Sequence, residues 1–166
     1  MDTLQRTARG KWFKDNLRNL KERECRFISK STTDYNCVGF AAADYLWWHP
    51  QQQDEHFWPE GVPRDFWAKT YVQALATVHF EVCPIQSPAI EDGYEKIVIY
   101  HRGSKFSHVA VIAGPALWKS KLGEFEDIEH AAAARKMGEY GLVFKYLRRE
   151  LKWAGAPLPE QYRILK

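Results

Sequence analysis

Apolar residues along this chain recur first at helical spacing and then, past about residue 80, in short strand-like runs rich in Val and Ile. Over 11–26, Phe13, Leu17, Leu20 and Glu24 fall on one helical face, with Lys14, Arg18 and Lys21 on another. A polar break from Ser31 to Asn36 precedes a small apolar run that predicts a helix from Cys37 to about Trp48, ended by Pro50. Residues 49–64 are dense in Pro and aromatics and read as a long loop. Asp65 suits the cap of a further helix, on which Phe66, Tyr71, Leu75 and Val78 recur at helical spacing. Phe80–Cys83 predicts a short strand and Ser87–Gly93 a turn-rich link.

Strand patterns dominate the second half of the chain. Glu95–Tyr100 and Phe106–Ala113 flank Arg102-Gly103-Ser104, which predicts a hairpin. Leu117–Lys121 predicts a third short strand, Glu126–Met137 an Ala-rich helix, and Tyr140–Arg148 a last strand. The tail around Pro157 reads as extended. Helices followed by a meander of antiparallel strands predict an α+β domain, with helices packed on a small antiparallel sheet. The expected organisation is a basic N-terminal helix over 1–30, the α+β domain over 31–149, and an extension over 150–166 packed on that domain.

Charge adds a segregation. Residues 1–30 carry nine Lys/Arg against four Asp/Glu, and 145–166 carry six against two, so the net +3 hides basic flanks around an acidic middle. No nucleic-acid motif accompanies the basic flanks, so solvated helix faces explain them and no nucleic-acid partner is expected. No apolar run approaches the ~18 residues of a membrane span, and no apolar stretch follows Arg6, Arg9 and Lys11 as a secretory signal requires. Three cysteines at unrelated spacings argue for reduced thiols rather than a disulfide scaffold. A cytoplasmic protein, or one exported without a cleaved signal, is expected.

The candidate chemistry centres on Cys37, placed where a helix begins. Amides and the helix dipole there favour a thiolate. A cysteine hydrolase also needs a base, and a polar group to orient it. His108 opens a strand and is the candidate base. Ser120 is the candidate orienting residue, with Asp127, Glu129 and His130 as alternatives. The Cys37 amide, with Asn36 beside it, is a candidate oxyanion donor. Gly39 leaves room for substrate or a neighbouring strand. Trp47, Trp48, Phe57 and Trp58, with Arg64, are placed to wall a substrate groove, or else to pin the loop to the core. A small buried thiol at 37 and a core histidine at 108 are the plainer alternatives. Cys25 and Cys83 have no ligand partner at close spacing and no H-x-x-x-H helix exists, so neither metal nor cofactor is expected.

Two resemblances go further. Tyr35-Asn36-Cys37, Trp47-Trp48-His49-Pro50, Trp58-Pro59-Glu60-Gly61-Val62-Pro63-Arg64, Gly93-Tyr94-Glu95-Lys96-Ile97, Ser107-His108-Val109-Ala110 and Trp118–Gly123 running on to Glu126–His130 resemble an uncharacterised bacterial domain family of unknown function, over about Asp34 to Arg148. Cysteine on a helix start followed by histidine on a strand is, more remotely, similar to the NlpC/P60 and wider papain-like cysteine hydrolases. That second resemblance implies a papain-like fold and a hydrolase or transferase acting on an amide or related acyl bond of a peptide or protein, as some effector toxins do. The competing expectation is a non-enzymatic protein-binding module that uses the Trp-rich loop.

Overall fold

In a computed structural model, the structure describes residues 25–52, 54–131, 140–155 and 157–164. Their elements run in chain order as β1 (Cys25–Phe27), α1 (Cys37–Ala42), α2 (Ala68–Ala76), β2 (Glu81–Val82), β3 (Tyr94–Arg102), β4 (Lys105–Ile112), β5 (Leu117–Lys121), β6 (Asp127–Ala131) and β7 (Leu142–Glu150). All seven strands join one sheet in the order β1-β6-β5-β4-β3-β7-β2, and every described pairing is antiparallel.

The centre of the sheet is the hairpin of β3 and β4. Its turn holds Gly103 at φ 60, where a residue without Cβ is unstrained. Lys96 through Tyr100 are buried without interruption, because both faces of β3 are covered. Alternation along the strands divides the core in two. Ile97, Ile99, Val109 and Leu147 point to the side where α1 and α2 pack, with Val38, Ala41, Tyr71, Ala74, Leu75, Trp48 and Trp58. Val98, Tyr100, Ala110, Ile112, Trp118, Ile128 and Tyr146 point to the other side, with Cys83 and Leu122. Burying an Ile or Leu side chain at such positions contributes roughly 1.5–3 kcal/mol each.

The α+β, papain-like expectation of helices on a small sheet is overturned. The sheet has seven strands and dominates, and the two described α-helices are six and nine residues long. Three local causes account for the difference. First, the Cys37 helix stops at Ala42 instead of reaching Trp48. Ala43 takes the left-handed cap at φ 59 and the chain folds back, so that the Leu46 carbonyl crosses Gly39. Second, residues 127–131 of the expected Ala-rich helix are strand β6. Ile128 and His130 pack on one face, and Ser120↔Ile128 with Trp118↔His130 fix its register on β5, so cross-strand packing overrides the helix propensity of alanine. Third, Cys25–Phe27 pair with β6 as an edge strand, although the helical pattern of 11–26 runs into them. The rest of that expected helix, and 132–137 of the Ala-rich one, lie outside the described residues.

At the other end of the chain, Lys30 N–H donates to the Tyr162 carbonyl at 2.7 Å, and the Tyr162 ring meets Tyr35 edge-on at 5.9 Å. Among the described residues no helix is long and apolar enough to cross a membrane.

Candidate functional site

Asn36 is the N-cap of α1, as its sequence position suggests. Its Oδ1 accepts from the Gly39 amide at 3.2 Å. The same oxygen accepts from the Trp48 amide at 3.3 Å while Nδ2 donates to the Trp48 carbonyl at 2.7 Å, so Asn36 ties the helix start to the loop. Its amide is thereby committed, and the expected second oxyanion donor is a structural clamp instead.

Cys37 is the first residue of α1, partly buried on the helix side of the sheet. The backbone N–H groups of Val109, Val38 and Cys37 favour its thiolate, as does the nearby Lys121 ammonium. Burial outweighs them and pushes the thiol up to about 11. Gly39 is needed for a close approach, but by the chain itself. A Cβ there would stand 1.8 Å from the Leu46 carbonyl oxygen.

The structure does not bring Cys37 and His108 together. Val109, one residue on, packs on the helix side with Cys37, so alternation turns His108 to the opposite face. There it pairs across the strands with Tyr100, and its ring stacks on Tyr140 at 4.1 Å. It is 1% exposed, and its Nε2 has no hydrogen-bond partner among the described residues. Burial, with the nearby His130, lowers its pKa to about 3, so the imidazole is neutral.

Ser120 does not orient His108 either. Its Oγ lies 2.9 Å from His130 Nε2, and His130 Nδ1 lies 3.3 Å from the Ala131 carbonyl. A carbonyl only accepts, so Nδ1 carries the proton and the Ser120 hydroxyl donates to Nε2. Both residues are buried, and burial holds His130 down at about 4. This is a satisfied polar pair inside the second core.

Asp127, another orienting candidate, faces the helix side in a polar network that the sequence did not announce. Tyr35 O–H donates to Asp127 Oδ2 at 2.8 Å, and the Asp127 amide donates to Ser29 Oγ at 2.8 Å. Lys121 Nζ donates to the carbonyls of Thr32 and Phe125 and lies 5.2 Å over the Tyr35 ring. Desolvation lowers the Lys121 ammonium and raises the Asp127 carboxyl, while the charge of each holds the other partly back. Glu129, the remaining alternative, pairs at 2.7 Å with Arg26.

Of the expected substrate wall, Trp48 and Trp58 are core, whereas Phe57 and Arg64 are exposed. Trp48 is 1% exposed, with Nε1 donating to Asp44 at 2.9 Å, and Trp58 donates to the Pro63 carbonyl at 3.1 Å. Arg64 donates to the Pro50 carbonyl at 3.1 Å. The Trp48 and Trp58 rings are therefore pinned inward by their own polar edges.

An open groove exists elsewhere, at the tip of the β3–β4 hairpin. Trp67, Lys69, His101, Gly103, Ser104 and Phe144 line it, and its exposed lining is mostly apolar. The Ala68 amide donates to the Ser104 carbonyl at 2.9 Å, which holds the start of α2 over the hairpin. Opposite Ile99 and Tyr100, β7 skips a pairing at Phe144, the kind of bulge that re-aims a side chain. The Phe144 ring lies 5.4 Å from His101. Among the described residues, the outer edge of β7 is paired by β2 at Leu147 and Arg148 and by Cys83 and the Gln86 side chain at Tyr146. From Leu142 to Lys145 that edge has no partner among them.

A family model described as a domain of unknown function, DUF7689, matches residues 26–148. The chain belongs to that family. No curated protein and no solved structure matches it. The match takes in α1, the Trp-rich loop and most of the sheet, including β7 up to Arg148, so both Cys37 and the hairpin groove lie within the DUF7689 domain.

Proposed function

We propose that this DUF7689 domain is a non-enzymatic protein-binding module that captures an extended peptide segment along the outer edge of β7. The observation that carries the reading is the outer edge of Leu142–Lys145, the side turned away from β3, which has no partner among the described residues and lies beside an open apolar groove. A free strand edge is a template for main-chain pairing, and adjoining pockets select side chains. The bulge at Phe144 spoils the flat edge that indiscriminate pairing needs, so a partner has to be anchored by a side chain in the groove. The three cysteines are all free, which suits a reducing compartment such as a cytoplasm.

The rival is a cysteine hydrolase or transferase at Cys37, with the effector or toxin role that would follow from it. That chemistry needs a base at the sulfur, and β4 turns His108 to the far face. Hydrogen exchange at Leu142–Lys145, with and without a pool of random eight-residue peptides, tests the proposal. Protection of those amides is the expected result. If no peptide protects them while the Cys37 thiol carries a stoichiometric acyl group from an activated ester, the hydrolase replaces the binding module.

A further inference from the structure

Among the described residues, the charges at the hairpin groove are of one sign. Lys69 lines it beside His101, and Lys145 Nζ lies 6.0 Å over the Phe144 ring. Asp65, the carboxylate next to this lining in sequence, accepts the Trp67 amide at 3.1 Å. At the floor, Trp67 is 42% exposed, although a ring of that size is ordinarily covered. The lining therefore joins an uncovered indole and the Phe144 ring to the Lys69 ammonium, and it includes no carboxylate among the described residues.

From this combination we infer that the groove takes an acidic peptide bearing one large apolar side chain. The inference rests on the reading of β7 as a docking edge and specifies the partner. The apolar side chain enters between Trp67 and Phe144, and carboxylates before and after it meet Lys69 and Lys145. Aromatic anchors carry most of the energy of such contacts. The charges act chiefly on association rate and on the rejection of basic segments.

Titration of the full chain, followed by Trp fluorescence and by amide exchange at Leu142–Lys145, tests this. The probes are three eight-residue peptides: a single Phe flanked by Asp and Glu, the same Phe flanked by Lys, and the same Phe flanked by Ser. The acidic peptide should bind at least tenfold more tightly than the serine one, with an affinity that falls as salt is raised. Lys69→Glu should abolish that preference, and Trp67→Ala should weaken all binding about tenfold. Lys69 is exposed, so its variant keeps the fold, and unchanged thermal unfolding checks this. Equal affinity for all three peptides, or preference for the lysine one, overturns the acidic specificity while leaving the β7 edge as the docking site. Failure of all three to protect the β7 amides removes both.

Discussion

Gly39 shows how little space surrounds Cys37. The Leu46 carbonyl lies where any larger residue would put its Cβ, and the obstruction is backbone rather than a movable side-chain tip. Gly39→Ala should therefore cost about 3 kcal/mol in urea unfolding, at the upper end for overpacking. Cys37 itself makes the second prediction. A thiol held at about 11 instead of 9.0 has roughly a hundredfold less thiolate at neutral pH. Iodoacetamide should thus label native Cys37 more slowly than free cysteine at pH 7.4, with a rate that climbs until the pH nears 11. Labelling faster than free cysteine would restore the nucleophile. Tyr35→Phe should cost about 1–3 kcal/mol, because it leaves Asp127 Oδ2 buried beside an Oδ1 that already has no partner among the described residues. Chemical denaturation measures it.

At the scale of elements, β4 and β6 carry neutral histidines into the second core, which ties sheet stability to pH. Unfolded histidine titrates near 6.5, whereas folded His108 and His130 titrate at about 3 and about 4. Their folded values are depressed, so the stability they permit is complete above pH 6.5. It is lost as pH falls, since the unfolded chain binds protons that the folded chain refuses. Asp127 opposes them: burial raises its folded carboxyl above the ordinary carboxylate range, so as pH falls the folded state takes up this proton before the unfolded chain does. His108→Phe keeps a ring against Tyr140 and removes one histidine contribution. The fall in stability between pH 6 and pH 4 should then be shallower by about 1.4 kcal/mol per pH unit. An unchanged acid slope would show that His108 is not buried neutral. Elements also show how much of the fold is legible in the sequence. The strands around 95–101, 107–113, 117–121 and 140–148 are readable because short β-branched and aromatic runs and a Gly turn mark them. Strand β6 is not, because Asp-Ile-Glu-His-Ala has helix-forming residues and only its pairing with β5 shows which face is buried. The cysteine on a helix start is legible too. Its isolation from His108 comes from the same period of two: once Val109 packs against α1, His108 cannot.

Across the whole molecule, the sheet is assembled out of chain order. Strands β3, β4, β5 and β6 lie side by side in sequence order, while β1 and β2, which come earlier in the chain, occupy its two rims. Pairing β3 with β4 closes only a short turn, whereas Glu81↔Arg148 and Cys25↔His130 join residues far apart in sequence. The β3–β4 hairpin is therefore expected to be the most persistent unit. Native-state hydrogen exchange should report its amides at the global unfolding free energy, with the β1 and β2 pairings opening well below it. On a ribosome this order imposes a wait. When β1 and the helices emerge, the strand that will hold β1 has not been made, and β2 must linger until β7 is synthesised. Trp48, Trp58 and Leu75 are synthesised before the β3, β4 and β7 residues that later cover them. Expression at lowered temperature, or with a chaperone that holds exposed apolar segments, should raise the soluble yield more than any change at the folded surface.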